Sequence, residues 1–270
     1  MDRKAMAKET LAILERGCYE AEGRQIDIRE SLERSVTESV LITPEEGAAI
    51  LEKYREKKAC PQPETRVGNL SAVEAVRRLW EEGKTEIGLL NFASAKNPGG
   101  GFLNGAKAQE ETLTVSSTLY PTLTAHEEYY QKNRAHRSMM YLDYSIYSPE
   151  VLFVRDSGLC LTGTPVKASV LTLPAVNMGQ VRLKGENETE ARRVMRRRMK
   201  LALGIFAERG AKHLVLGAYG CGVFRNDPRD IAAWWRELLA EGMGAYFETI
   251  YQAVLDSSRD GRCIKAFLNE

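Results

Sequence analysis

Seven residues separate the run Asn97-Pro98-Gly99-Gly100-Gly101 from Gln109-Glu110-Glu111. Adjacent carboxyl groups can give and take protons, and three successive glycines remove three Cβ atoms, which permits positive φ and lets a ligand approach the main chain closely. A helix starting between Ala106 and Gln109 would aim free N–H groups and its positive end at that loop, so an anionic ligand is the natural occupant. On the first turn of such a helix, neighbouring glutamates diverge by about 100°, so they cannot face each other across one substrate bond and should do different work. The plainer alternatives are a flexible strand-to-helix turn and two acids that merely complement a helix dipole. A second stretch, LVLGAYGCGVFRNDP over 214–228, repeats the device with Gly217, Gly220 and Gly222, and sets Tyr219 and Phe224 among them. Both loops follow apolar strands, which should bring them to the same C-terminal sheet edge, where open α/β sheets bind ligands.

Better-known motifs fail. Arg225 stands where a dinucleotide fingerprint needs its third glycine, and Ala106 follows Gly105 where a Walker loop needs Lys and then Ser or Thr. His126, His136 and His213 have no metal-ligand spacing, and His213 reads as structural; no metal or cofactor is expected. Cys221 sits between glycines with no histidine near it in sequence, so packing is its simpler role. The cations Arg192, Arg193, Arg196, Arg197, Arg198 and Lys200 alternate with Val194, Met195, Leu201, Ala202 and Ile205, as on the solvated side of an amphipathic helix. Trp80, Trp234 and Trp235 read as packing residues.

The elements that must position these groups follow from periodicity and punctuation. Helices are expected over 4–18 (ending near Gly17), from Ser31, after Thr43-Pro44, and over 71–82, 126–137, 188–208 and 229–240. Strands are expected over 25–28, 87–92, 150–154, 169–173, 213–216 and 249–255. KKACPQPETR, 57–66, reads as a linker, which divides an N-terminal accessory extension, 1–65, from a catalytic part, 66–270. Alternating strands and helices indicate α/β layering around a substantially parallel sheet.

With 38 Lys and Arg against 37 Asp and Glu, the formal net charge is +1, which argues against duplex nucleic acid or an anionic membrane as bulk partner. No apolar run approaches the roughly 20 residues of a membrane span, and charges interrupt the first twenty residues. Five cysteines without CxxC spacing suggest reduced thiols and a cytoplasmic location.

The glycine run spaced to QEE, followed by GAYGCGVF, resembles the microbial poly(ADP-ribose) glycohydrolases, whose catalytic core is a macrodomain. The resemblance spans residues 66–270 and implies a three-layer α/β/α sandwich with a mixed, largely parallel sheet behind an N-terminal helical extension. It implies hydrolysis of ribose–ribose bonds in poly(ADP-ribose), releasing ADP-ribose from chain ends. Glu111 would be the catalytic acid/base and Glu110 would orient ribose hydroxyls. Gly99, Gly100 and Gly101 with Gly220, Cys221, Gly222, Val223 and Phe224 would cradle the diphosphate, while Asn97 and Phe224 would hold the distal ribose. Gln109, Asn91, Phe92 and Asn177 would complete the pocket. Poly(ADP-ribose), ADP-ribose and ADP-ribosylated proteins are the implied partners. Two other functions fit the same motifs: an ADP-ribose reader without turnover, and a hydrolase of mono-ADP-ribosylated protein or another conjugate. The intact QEE argues against the reader, which has no need of Glu111.

Overall fold

A computed structural model describes residues 2–55 and 61–269. The chain opens with α1 (Arg3–Arg16), capped by the Asp2 carboxylate on the Lys4 and Ala5 N–H groups and closed at Gly17 in the left-handed region. A small hairpin of β1 (Cys18–Ala21) and β2 (Arg24–Asp27) turns at Glu22-Gly23, both at positive φ, followed by α2 (Arg29–Thr37) and β3 (Val40–Ile42). Next come α3 (Pro44–Lys53), opened by a Thr43/Glu46 capping box, β4 (Glu64–Gly68), α4 (Ala72–Glu81) and β5 (Ile87–Ala93). After the glycine run, α5 (Gln109–Ser116), α6 (Leu119–Thr124) and α7 (Glu127–Ala135) lead into β6 (Ser145–Arg155) and β7 (Leu161–Pro174). Then α8 (Met178–Leu183) and α9 (Glu188–Glu208) precede β8 (His213–Leu216), α10 (Pro228–Ala240), β9 (Thr249–Ala253) and α11 (Arg262–Leu268).

Seven strands form one sheet in the order β3-β6-β7-β5-β8-β9-β4. β3–β6 and β6–β7 are antiparallel, and the remaining neighbours are parallel. One face packs against α9 and α10 through Leu90, Leu214, Met195, Phe206 and Trp235; the other packs against α4 and α7 through Leu89, Val215, Val76, Leu79 and Tyr130. This is the expected α/β/α sandwich. Alternate residues of β5 serve opposite layers, which is why its sequence is apolar throughout.

Three expectations need correction. Of the linker, residues 57–60 lie outside the described residues, while Glu64–Arg66 belong to β4, a polar edge strand whose Arg66 pairs with Glu64 and Glu82. β6 is longer than 150–154 because a register shift between Ser148 and Val151, with Glu150 at positive φ, interrupts the alternation. β7 begins at Leu161, eight residues before the apolar stretch that reveals it. Residues 1–65 also contribute to the main sheet through β3, and α3 lies on α9, with Ile50 against Gly204.

Candidate active site

β8 pairs with β5 only as far as Leu89. Beyond that point a side chain takes over: the Gln109 amide accepts from the Phe92 N–H at 2.9 Å and donates to the Leu90 carbonyl at 2.8 Å. It thus continues the ladder and pins the first turn of α5 to the C-terminal end of β5. Both ends of that amide are spent on the main chain rather than presented to a ligand.

The next two residues leave this anchor for opposite surroundings. Glu110 is 3% exposed. Its Oε2 accepts from the Ser94 N–H at 2.7 Å, and its Oε1 faces Asn91 Nδ2 at 3.4 Å, with Asn91 held in turn on Thr172 Oγ1 at 3.1 Å. Burial, with a smaller contribution from the Glu111 charge, pushes the Glu110 carboxyl up to about 8 against the opposing pull of the two donors. Glu111 is half-buried; its Oε1 accepts from the Gly101 N–H at 2.9 Å, and its Oε2 has no hydrogen-bond partner.

These carboxyl groups explain the middle glycine. Gly100 sits at φ +60°, and a Cβ there would lie 2.3 Å from Glu111 Oε1 and 2.8 Å from Glu110 Oε2. The space released by the missing side chain is taken by the glutamates, rather than by a ligand approaching from outside. Gly99, also at positive φ, packs against Phe102 and Thr114. Asn97 is exposed; its N–H donates to Ser94 Oγ and its carbonyl accepts from Gly100, closing the turn.

The second loop leaves β8 beside the first, as parallel neighbours require. Trp235 Nε1 donates to the Gly217 carbonyl at 3.0 Å, and Asn226 Nδ2 donates to the carbonyls of Val176 at 2.8 Å and Gly220 at 3.0 Å. Gly220, at φ +72°, lies where a Cβ would meet Asn226 and Ala175. Gly222 instead faces open space, and Val223 is 79% exposed. Phe224 packs its ring 6.0 Å from Tyr141. The Cys221 thiol is pushed well above its ordinary range by its hydrogen bond with Cys263 and by burial, which is unfavourable for a nucleophile.

Between the loops lies a cleft of about 1360 Å³. Phe92, Gln109, Glu110 and Glu111 line one side of it, and Gly220–Phe224 another. Asn97 and Gly99–Gly101 are not among its walls, nor is Asn91, which is fully buried behind Glu110. Asn177 caps α8, its Oδ1 accepting from the Gln180 N–H at 3.1 Å. Among the described residues no cluster of His, Cys, Asp or Glu could hold a metal ion, and no helix is long and apolar enough to cross a membrane.

The microbial-type PARG catalytic-domain family description matches residues 7–156. The chain belongs to this family. The crystal structure of poly(ADP-ribose) glycohydrolase (PARG) from Thermomonospora curvata superimposes with a TM-score of 0.93 at 37% identity, covering 99% of this chain and 98% of that one. The same protein bound to the inhibitor ADP-HPD gives a TM-score of 0.92 at the same identity and coverage. PARG from Deinococcus radiodurans in complex with ADP-ribose gives 0.83 at 42% identity, covering 88% of this chain and 96% of that one. A search of curated proteins returned no match.

Several residues that build this PARG-family site carry no local signal in sequence. Ser94 and Thr172 act on Glu110 only because the fold juxtaposes them, and Asn226 ties the second loop to the residue after Ala175. Arg198 corrects the reading of α9. It is 1% exposed, with Nε on Asp143 Oδ1 at 2.8 Å and its other nitrogens on the carbonyls of Met140, Tyr141 and Pro174. It fastens the α7–β6 connection to the end of β7. The exposed members of the stripe are ion-paired, Arg192 with Asp230, Arg193 with Glu190 and Arg197 with Asp143, and the half-buried Arg196 pairs with Glu237 and Glu241.

Proposed function

We propose that this chain hydrolyses the ribose–ribose glycosidic bond of poly(ADP-ribose), releasing ADP-ribose from chain ends, with Glu111 as proton donor and then base. The observation that carries this reading is the pair of unlike carboxyls on the cleft wall. Glu111 is fixed by one oxygen on the Gly101 N–H, while Glu110 is buried and biased toward its neutral form. Cleavage passes through an oxocarbenium-like transition state, which needs a proton for the departing hydroxyl and a base for water. One glutamate serves both steps in sequence. A neutral Glu110 leaves Glu111 without a second full negative charge beside it and remains able to hydrogen-bond a ribose hydroxyl. The diphosphate, held along Gly220–Phe224, supplies negative charge toward the anomeric carbon. In this reading Phe224 holds the distal ribose, and Phe92, Gln109, Asn91 and Asn177 support the pocket from its wall or from behind.

Residues 1–65 serve as an accessory extension of the catalytic part, 66–270, because α1 lies against the turn that follows the glycine run. The four described cysteines are free thiols, consistent with a reducing, cytoplasmic setting. The test is to incubate the chain and its Glu111→Gln variant with labelled polymer and, separately, with mono-ADP-ribosylated protein. Wild type should release ADP-ribose from polymer, and the variant should lose on the order of 10² to 10⁴ in rate, as removal of a general acid/base does. Near-normal turnover by the variant overturns the role of Glu111; binding without turnover by wild type overturns the enzyme.

A further inference from the structure

The reactive wall of the cleft is approached from behind by a cation at the start of the chain. Arg3 lies before residue 7, where the family match begins. The first turn of α1 lies over the turn Phe102–Gly105: a Cβ at Gly105 would come within 3.2 Å of Lys4 Cγ and 3.4 Å of Arg3 Cβ, and Gly105 itself sits at φ +80°. From there Arg3 Nη2 donates to Thr112 Oγ1 at 3.3 Å, on the residue after Glu111. Arg3 Nη1 is buried without an acceptor, and Glu111 Oε2 is buried without a donor. The Glu111 charge acts on the Arg3 guanidinium, although the two are not within ion-pair contact. Asp2, the acid next to Arg3 in sequence, is occupied by the N–H groups of Lys4 and Ala5. One arm of the arginine is therefore anchored on α5 next to Glu111 in sequence, and the other is unused, as is Glu111 Oε2.

A buried donor without a partner is destabilising, so its presence calls for an explanation. The glycosidase cycle supplies one. Glu111 delivers its proton to the departing ribose oxygen as the glycosidic bond breaks, and for the life of that intermediate it is an anion in a half-buried setting beside Glu110. A guanidinium can meet that anion because it stays charged and donates in a fixed fork. We propose that Arg3 is a positioning residue for Glu111, its Nη1 taking up Glu111 Oε2 when the carboxylate forms and holding it to receive a proton from water. The hydroxyl of that water bonds to the anomeric carbon, its proton returns to Glu111, and Arg3 keeps its own protons throughout. This rests on Glu111 as the acid/base.

The experiment uses the full chain with an untagged N-terminus, measuring turnover of labelled polymer and calorimetric binding of ADP-ribose for wild type, Arg3→Met, Arg3→Lys, Thr112→Val and Glu111→Gln. Arg3→Met should lower kcat by about 10- to 100-fold, the scale on which an outer hydrogen-bond partner acts. KM and the ADP-ribose Kd should stay within about twofold, since the loss is confined to the chemical step. Arg3→Lys should recover part of the loss, and added guanidinium ion should stimulate Arg3→Met but not wild type. Thr112→Val, which frees the anchored arm, should show a smaller kcat loss with the same split. An unchanged kcat in Arg3→Met overturns the proposal. So does a joint fall of kcat, ADP-ribose affinity and melting temperature with no rescue by lysine or guanidinium, which makes Arg3 only a structural tie. If Glu111→Gln retains normal turnover, the role of Glu111 fails and this inference with it; if Glu111→Gln is inactive while Arg3→Met is not impaired, only the arginine's role falls.

Discussion

Glu110 and Glu111 are adjacent in the chain and chemically alike, yet one is enclosed by Ser94, Asn91 and Thr172 while the other hangs from Gly101 beside an unpartnered oxygen. Their difference has a signature in stability. Burial raises the folded-state carboxyl of Glu110 to about 8, from an ordinary value of 4.5. The folded chain therefore binds a proton there that the unfolded chain has already released, so this group stabilises at low pH and loses that contribution as pH rises from about 4.5 through 8. The slope approaches at most roughly 1.4 kcal/mol per pH unit. Melting temperatures followed from pH 5 to 8 should fall more steeply for wild type than for Glu110→Gln; parallel curves would show that Glu110 is ionised in the folded chain throughout.

The glycines separate along the same line. Gly100→Ala sets a methyl among the two carboxyls at positive φ and should cost turnover far more than ADP-ribose affinity. Gly222→Val places its side chain in the open cleft and should cost affinity. Kinetics and calorimetry on both variants check this, and the reverse pattern would return Gly100 to the ligand and remove Gly222 from it.

At the scale of elements, the site depends on three fastenings between segments distant in sequence: Gln109 on β5, Asn226 between the second loop and Val176, and Arg198 on the α7–β6 connection. The third is the most exacting because it involves charge. Arg198 is fully enclosed and shares Asp143 with Arg197, whose guanidinium is partly exposed. Removing one partner of a buried pair typically costs about 3–5 kcal/mol, since the other is left charged and undersolvated. Arg198→Ala should destabilise by an amount of that order in chemical denaturation, whereas Arg193→Ala, which loses an exposed pair, should shift stability by less than about 1 kcal/mol. Equal effects would mean that Arg198 is no better placed than its solvated neighbours.

The whole molecule determines how a polymer meets this cleft. α1 lies across the turn after the glycine run, and β3 and α3 join the sheet and α9, so these elements back the structure behind the cleft, whose own wall begins at Leu70. If that wall stops a chain from continuing past its terminal unit, labelled polymer should yield ADP-ribose from the earliest times; abundant medium-length oligomers early in the digest would refute end-only cleavage. A preformed cleft should also bind product. ADP-ribose at a hundred times its Kd should stabilise the fold by about 2.7 kcal/mol, and adenosine should do much less.

Much of this was written locally. The buried strand before each glycine loop, the helix starts at Ser71 and Thr43, and the spacing from Gly101 to Glu111 depend on neighbouring residues, and so were legible as α/β layering with two loops at one edge. What sequence left open concerns partners far apart along the chain. β4 is polar because it is an edge, so nothing local distinguishes it from a linker until β9 pairs with it. Arg198 has the same side chain as its solvated neighbours and differs only in pointing at Asp143, 55 residues away. The glycine run announced a close approach without saying of what. Only the fold, by bringing α5 back onto β5 through Gln109, decided that the space above Gly100 belongs to the two carboxyls, because the environment that makes Glu110 unlike Glu111 is assembled from Asn91, Ser94 and Thr172 on other elements.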